Sequence, residues 1–193
     1  MAKAAKPRSL KATVTHLEMT RRPRMTLPLP VNLHATLIRA TDIPLHFYRY
    51  LHWQVGREWH WVSRLRMSNA QLDKIVHAKT TRIYVLSVDG APAGFFELSD
   101  IFDATVELVY FGLMDHVRRR GLGEWMLGQA LLTAWSSTPA RVIVSTNTLD
   151  HPAALPLYQK LGFEPVSQNE AIIRPLADAE ILAIVKGSDQ SEG

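Results

Sequence analysis

The chain has 193 residues, of which 47 % are apolar and 21 % charged. That suits one globular domain with an ample core and excludes a largely disordered chain. No apolar run reaches the ~18 residues of a membrane span. Cysteine is absent, which excludes disulfides, thiolate nucleophiles, Cys-ligated zinc and iron–sulfur clusters.

A net charge of +4 suits an anionic ligand without requiring one. The basic residues are uneven. Lys3, Lys6, Arg8, Lys11, Arg21, Arg22 and Arg24 crowd the N-terminus, where Glu18 is the only acid. Such a stretch is expected to be a solvated arm rather than a nucleic-acid contact. No apolar core of a secretory signal follows it, and it resembles an organellar transit peptide only faintly. A cytoplasmic location is expected.

Residues 1–32 therefore read as a basic arm and linker. Lys11 to Met19 alternates loosely, as an extra edge strand would, and Pro23, Pro28 and Pro30 make 21–32 an extended connector. The domain proper is expected over 33–186, with 187–193 a disordered tail. Leu33, Ala35, Leu37 and Arg39 share one parity, which predicts a first strand. Asp42 and Pro44 then signal a helix start. Residues 44–78 read as helical pieces. Gly56 breaks the first, and Ser68 with Gln71 forms a capping box for another that runs to about His77. Phe47, Tyr48, Tyr50, Trp53, Trp59 and Trp61 crowd this stretch. They read foremost as helix residues packing on a sheet, with some rings free to form an acceptor wall. The histidines His46, His52 and His60 lack the i, i+4 spacing of a helical metal pair, so no metal site is expected.

A meander follows. Arg82 to Val88 is a strand, Asp89-Gly90 a tight hairpin, and Ala93 to Leu98 the return. Thr105 to Leu113 is a third strand. Gly121 opens a helix with Leu127, Ala130, Leu131, Ala134 and Trp135 at helical spacing. Arg141 to Thr146 is a buried strand. Asp150 is placed to cap a short helix ending near Leu161, with Gly162 as its stop. Pro156 lies inside that helix, so it should kink or start late. Apolar stretches at 171–176 and 179–185 predict at least one last strand or helix.

The segment Arg118-Arg119-Arg120-Gly121-Leu122-Gly123 joins a strand to a helix start. Its glycines let the backbone approach a ligand, and successive free N–H groups make an anion nest reinforced by the helix dipole. The implied ligand is a phosphate or pyrophosphate. No Lys-Ser or Lys-Thr follows, and a third glycine is missing, so neither a Walker loop nor a dinucleotide fingerprint is present. Glu124 would repel a phosphate there unless it points away.

Arg118-x-x-Gly121-x-Gly123 resembles the pyrophosphate loop of the GNAT superfamily of acetyl-CoA-dependent N-acetyltransferases. The strand Val106 to Leu113 lies where that family's central strand should, and Ala154-Leu-Pro-Leu-Tyr158-Gln-Lys-Leu-Gly162-Phe163 resembles a second family segment. The resemblance implies an α/β (α+β) fold: a mixed, mostly antiparallel central sheet, splayed at the cofactor site and flanked by helices. Acetyl-CoA would lie in the splay. Backbone at Phe111, Leu113 and Met114 would pair with its pantetheine arm, and a bulge there would aim an N–H at the thioester carbonyl. Loop residues Arg118, Arg119, Arg120, Gly121, Leu122, Gly123 and Glu124 would hold the pyrophosphate, chiefly through the backbone. The family often has Asn seven residues before the tyrosine. Here that position is His151, with Asn147 nearby, so either would contact the cofactor.

By the same resemblance Tyr158 would be the general acid for the thiolate. The base would be Glu107 or Glu97, the latter embedded in apolar strand residues, or a water relay. The implied reaction moves acetyl to a primary amine by direct attack. The aromatic window suggests a small acceptor of apolar or aromatic character. A protein lysine or N-terminus is an alternative, as is a non-catalytic CoA-binding module whose basic arm contacts nucleic acid. No membrane or nucleic-acid partner is expected, and a homodimer is compatible.

Overall fold

The computed structural model describes residues 8–24 and 27–186. The tail expected at 187–193 lies outside the described residues. Seven strands form one sheet: β1 (Leu10–Met19), β2 (Ala35–Ala40), β3 (Thr81–Val88), β4 (Ala91–Ile101), β5 (Thr105–Leu113), β6 (Arg141–Asn147) and β7 (Glu164–Ile173). Their spatial order is β2-β3-β4-β5-β6-β1-β7. Every neighbouring pair is antiparallel except β5 and β6. The helices are α1 (Leu45–Gly56), α2 (Asn69–Val76), α3 (Leu122–Trp135), α4 (Ala154–Lys160) and α5 (Asp178–Lys186).

From β2 to β5 the sheet follows local signals. Asp89 and Gly90 both have positive φ (51° and 84°), the backbone that a two-residue hairpin turn demands. Ser68 caps α2 with both hydrogen bonds of the capping box, made with Gln71. Gly121, at φ 77°, precedes the first turn of α3. Both apolar C-terminal stretches form elements, as the end of β7 and as α5.

Two expectations are corrected. The N-terminal strand forms, but not at an edge: β1 lies between β6 and β7, paired to both. Ala12, Leu17 and Met19 on it are buried, and Leu17 and Met19 belong to the core beneath α3. Burying those side chains while satisfying both backbone edges favours the interior position over an edge. Residues 10–19 are thus part of the sheet that begins again at β2, not of a separate arm. The second correction concerns Asp150, which does not cap α4. The helix starts late, at Ala154, with no side-chain cap. Pro156 falls in its first turn, where a missing N–H costs no hydrogen bond.

Two cores flank the sheet. One joins α3 to Leu86, Phe96, Leu98, Leu108, Val142 and Val144, and Leu27 and Leu29 of the connector pack onto it. The other joins Tyr48, Leu51 and Val55 of α1 and Leu72 and Val76 of α2 to Ile83 and Phe95.

Candidate active site

The site begins where two parallel strands stop pairing. β5 and β6 are in register from Thr105–Arg141 to Leu108–Val144 and no further. Between β4 and β5 the register shifts so that Glu97 faces Tyr110 while Leu98 faces Leu108. Val109 is the extra residue of this bulge, and the bulge coincides with the end of β5–β6 pairing. Bulges bend and twist a strand, so a split here follows from the local geometry. A cavity of about 630 Å³ occupies the split. Val109, Tyr110 and Phe111 line it from β5, Ser145 and Asn147 from β6, and Tyr158 from α4. Trp59, Trp61 and Ser63 line it from the segment after α1, and Ile172, Ile173 and Arg174 from the end of β7.

The aromatic window divides between two jobs. Tyr48 is fully buried in the α1 core, whereas Trp59 and Trp61 face the cavity. Asp150 leaves α4 uncapped and serves Trp61 instead. Asp150 accepts hydrogen bonds from Trp61 Nε1 (3.1 Å), Thr146 Oγ1 (2.8 Å) and the backbone N–H of Asn147 (2.9 Å). It thereby ties the segment after α1 to the turn after β6. Trp61 and Asp150 are 89 positions apart, which leaves no local signal of the pair.

At the glycine loop, Arg119 and Gly121 both adopt left-handed backbone (φ 61° and 77°). The first-turn N–H groups of Leu122 and Gly123 have no acceptor within α3 and sit at its positive end. A Cβ on Gly121 would be strained by that φ and would meet Pro30 Cγ at 3.2 Å. Arg118 is held by Glu58 (2.9 Å) and Asp115 (2.7 Å), with its guanidinium 5.2 Å from the Trp59 ring centre. Arg119 and Arg120 are exposed, and Arg120 lies 3.9 Å from Asp89. Glu124 is paired with Lys160 Nζ at 2.6 Å, which offsets its repulsion of an anion. These residues fit a pyrophosphate held mainly by backbone, and the split beside them fits an extended arm.

The remaining expected site residues are dispersed. Phe111, Asn147 and Tyr158 meet at the cavity. Leu113 is half-buried and pairs with Gly94. Met114 is buried, and its N–H donates to the Ala93 carbonyl (2.8 Å). Asn147 uses its side chain within the turn, accepting from the Leu149 N–H (2.9 Å) and donating to Asp150 (3.2 Å). His151 is exposed, accepts from the Ala153 N–H (3.1 Å) and packs edge-on to Trp59. The Tyr158 hydroxyl has no hydrogen-bond partner among the described residues. Burial, then the Asp150 charge, raises its pKa well above the ordinary tyrosine value.

Glu97 is 1 % exposed and enclosed. It accepts from Arg64 Nη2 (2.7 Å) and from the Tyr48 hydroxyl, and it does not line the cavity. Glu107 lies opposite Ser99 on β4 and Ile143 on β6, half-buried and also off the cavity wall. Burial, then the charge of Glu97, raises its pKa. His52 sits between the rings of Tyr48, Phe95 and Tyr110, with both ring nitrogens buried and unpartnered among the described residues.

The Acetyltransferase (GNAT) family matches residues 44–163, more than half of the chain. The chain belongs to the GNAT acetyltransferase family. No curated protein matches it. Among solved structures it is similar to a GCN5-related N-acetyltransferase from Kribbella flavida (TM-score 0.55, 17 % identity, 90 % of this chain and 59 % of that one). It is also similar to an IAA acetyltransferase from Bacillus cereus (TM-score 0.53, 23 % identity, 69 % and 79 %). A third is a GNAT acetyltransferase from Elizabethkingia anophelis with acetyl-CoA bound (TM-score 0.53, 18 % identity, 69 % and 78 %). At these identities the likenesses show the fold. The chain spans less than two thirds of the Kribbella protein's length. No helix among the described residues is long and apolar enough to cross a membrane.

Proposed function

We propose that the protein transfers the acetyl group of acetyl-CoA to a primary amine by direct attack. The observation that carries this reading is the cavity between the split strands β5 and β6, in the same fold as the Arg118–Gly123 anion loop. The loop backbone would hold the pyrophosphate. The free edge of β5 near Phe111 would pair with the pantetheine arm, and the bulge at Val109 would turn an N–H toward the thioester carbonyl. Tyr158, with its unpartnered hydroxyl at the cavity, would protonate the departing thiolate. Its raised pKa keeps it protonated at neutral pH, as a general acid must be.

Trp59, Trp61, Tyr110 and Ile172 on the cavity wall favour a small acceptor with apolar or aromatic character. Glu97 is the weaker of the two carboxylate candidates for the base, because Arg64 and Tyr48 already occupy its oxygens. The reading is tested by calorimetric titration with acetyl-CoA, for the protein and for Gly121→Val. A panel of primary amines follows, with free thiol as the readout. Saturable binding lost in the variant, together with amine-dependent thiol release, is the expected result. Absence of acetyl-CoA binding by the unsubstituted protein overturns it.

A further inference from the structure

We propose that His16 is the proton acceptor for the amine, working through Ser145, with Asn169 as its positioning residue. The proposal rests on the acetyltransferase reading above and assigns the base that reading leaves open. The three residues come from β1, β6 and β7, which are adjacent in the sheet. His16 Nδ1 lies 2.8 Å from Ser145 Oγ, and His16 Nε2 lies 2.6 Å from Asn169 Oδ1. Asn169 Nδ2 donates to the Glu170 carbonyl (3.2 Å), which fixes the amide so that its oxygen faces the imidazole. An amide oxygen only accepts, so Nε2 carries the ring proton. Nδ1 is then a bare lone pair, and the Ser145 hydroxyl donates to it. This is a base held in one tautomer by one neighbour and coupled to a hydroxyl by another.

The hydroxyl is where the chemistry would occur. Leu108 and Val144 form the last rung between β5 and β6. Val109, the bulged residue, and Ser145 are the next positions on the two strands, so they flank the mouth of the split. Both line the cavity, whereas Glu97 and Glu107 do not. The charged groups around His16 are Glu107 on β5, whose ionisation the protonated form of His16 favours, and Glu18 on β1. Arg141 on β6 pairs with Glu18 at 3.7 Å, and Glu164 on β7 stands opposite Glu18.

The proton path balances. The substrate ammonium gives a proton to the Ser145 hydroxyl as that hydroxyl gives its own to His16 Nδ1, and His16 later releases it to solvent. The neutral amine forms the N–C bond at the thioester carbonyl, and the C–S bond breaks. The new amide nitrogen loses its second proton. The thiolate gains one from Tyr158, and the second proton restores the tyrosine hydroxyl.

The test uses the full chain, acetyl-CoA and two probe amines. 2-Phenylethylamine is protonated at neutral pH and needs a base, whereas aniline is already neutral and does not. His16→Gln should lower kcat/KM for 2-phenylethylamine by about 10²-fold or more and leave aniline within a few-fold. It should also move the acidic limb of the 2-phenylethylamine profile to higher pH, since only amine already deprotonated in solution then reacts. Ser145→Ala, at an exposed position that does not threaten folding, should show the same split between the amines. Asn169→Asp should move the acidic limb to higher pH, because a carboxylate favours the imidazolium. Equal losses on both amines, or an unchanged pH profile in His16→Gln and Ser145→Ala, overturn the proposal while the acetyltransferase reading stands. If the unsubstituted protein releases no thiol with any amine, that reading falls and the proposal with it.

Discussion

The two halves of the sheet are built on different principles. In β2-β3-β4-β5 the spatial order follows the chain order. β3, β4 and β5 form a meander, and a two-residue turn sets the β3–β4 pairing. In β6-β1-β7 each strand pairs with one far away in sequence: His16 meets Ser145 129 residues on and Asn169 153 residues on. The first half is cheap in loop closure, and the second must close long loops before any contact rewards it. The cavity opens at the seam between the halves, where one wall is local and the other is not. The anchoring half and the assembling half of one site thus obey different rules within a single sheet.

The largest effect expected from breaking this contrast is deletion of residues 1–24. It removes β1 and leaves β7, at the sheet's edge, without its only strand partner among the described residues. Loss of the cooperative thermal transition followed by circular dichroism is the expected outcome.

The local half has its own point of failure in the pair between Arg64 and Glu97, whose side chains are 12 % and 1 % exposed. Arg64→Ala strands a buried carboxylate and should cost about 3–5 kcal/mol in urea unfolding. Glu97→Gln keeps an oxygen acceptor for Arg64 and leaves only the more exposed guanidinium without its counter-charge, so it should cost less.

At the seam, Gly121→Ala forces a Cβ into left-handed backbone beside Pro30. The strain is ~1–2 kcal/mol, or roughly tenfold in acetyl-CoA affinity. Gly123→Ala is the contrast. Its Cβ would meet Leu113 and Leu157 at 3.9 Å, an ordinary contact, so folding should be unchanged.

His52 gives a pH test. Burial, then the nearby Arg64 charge, pushes its pKa well below the ordinary value. As pH falls through ~6.5 the unfolded chain binds a proton there and the folded one does not. Stability is therefore full above that pH and falls below it, by up to ~1.4 kcal/mol per pH unit from this group. His52→Leu should flatten that part of the stability–pH curve.

The smallest effect is expected at the hairpin. Gly90 has φ 84° with open space around a built Cβ, so Gly90→Ala should cost only ~1 kcal/mol, and melting temperature is the readout.

Part of the local frame of the site was legible. The start of α3 after Gly121 and the stop at Gly162 each rest on residues a few positions apart, and both appear as read. The partners of Glu97 and Asp150 were not legible. An isolated carboxylate in a strand looks like a base, and only the packed neighbours Arg64 and Tyr48 show that both its oxygens are already engaged. Asp150 looked like a helix cap because local rules favour one there. Trp61, 89 residues away, and Thr146 compete for the same oxygens.

The sequence by itself determined the elements whose signals are short-range: the Asp89-Gly90 turn, the capping box at Ser68, the period of α3 and the glycine loop. These depend on φ/ψ preferences and on side chains within one turn of each other, so no distant partner can reverse them. Tertiary structure alone decided that β1 enters the sheet between β6 and β7, and thereby that His16, Ser145 and Asn169 meet beside the cavity. The reason is that two open strand edges and a row of apolar side chains select their partner by burial and hydrogen-bond satisfaction across the whole fold, which local sequence does not encode.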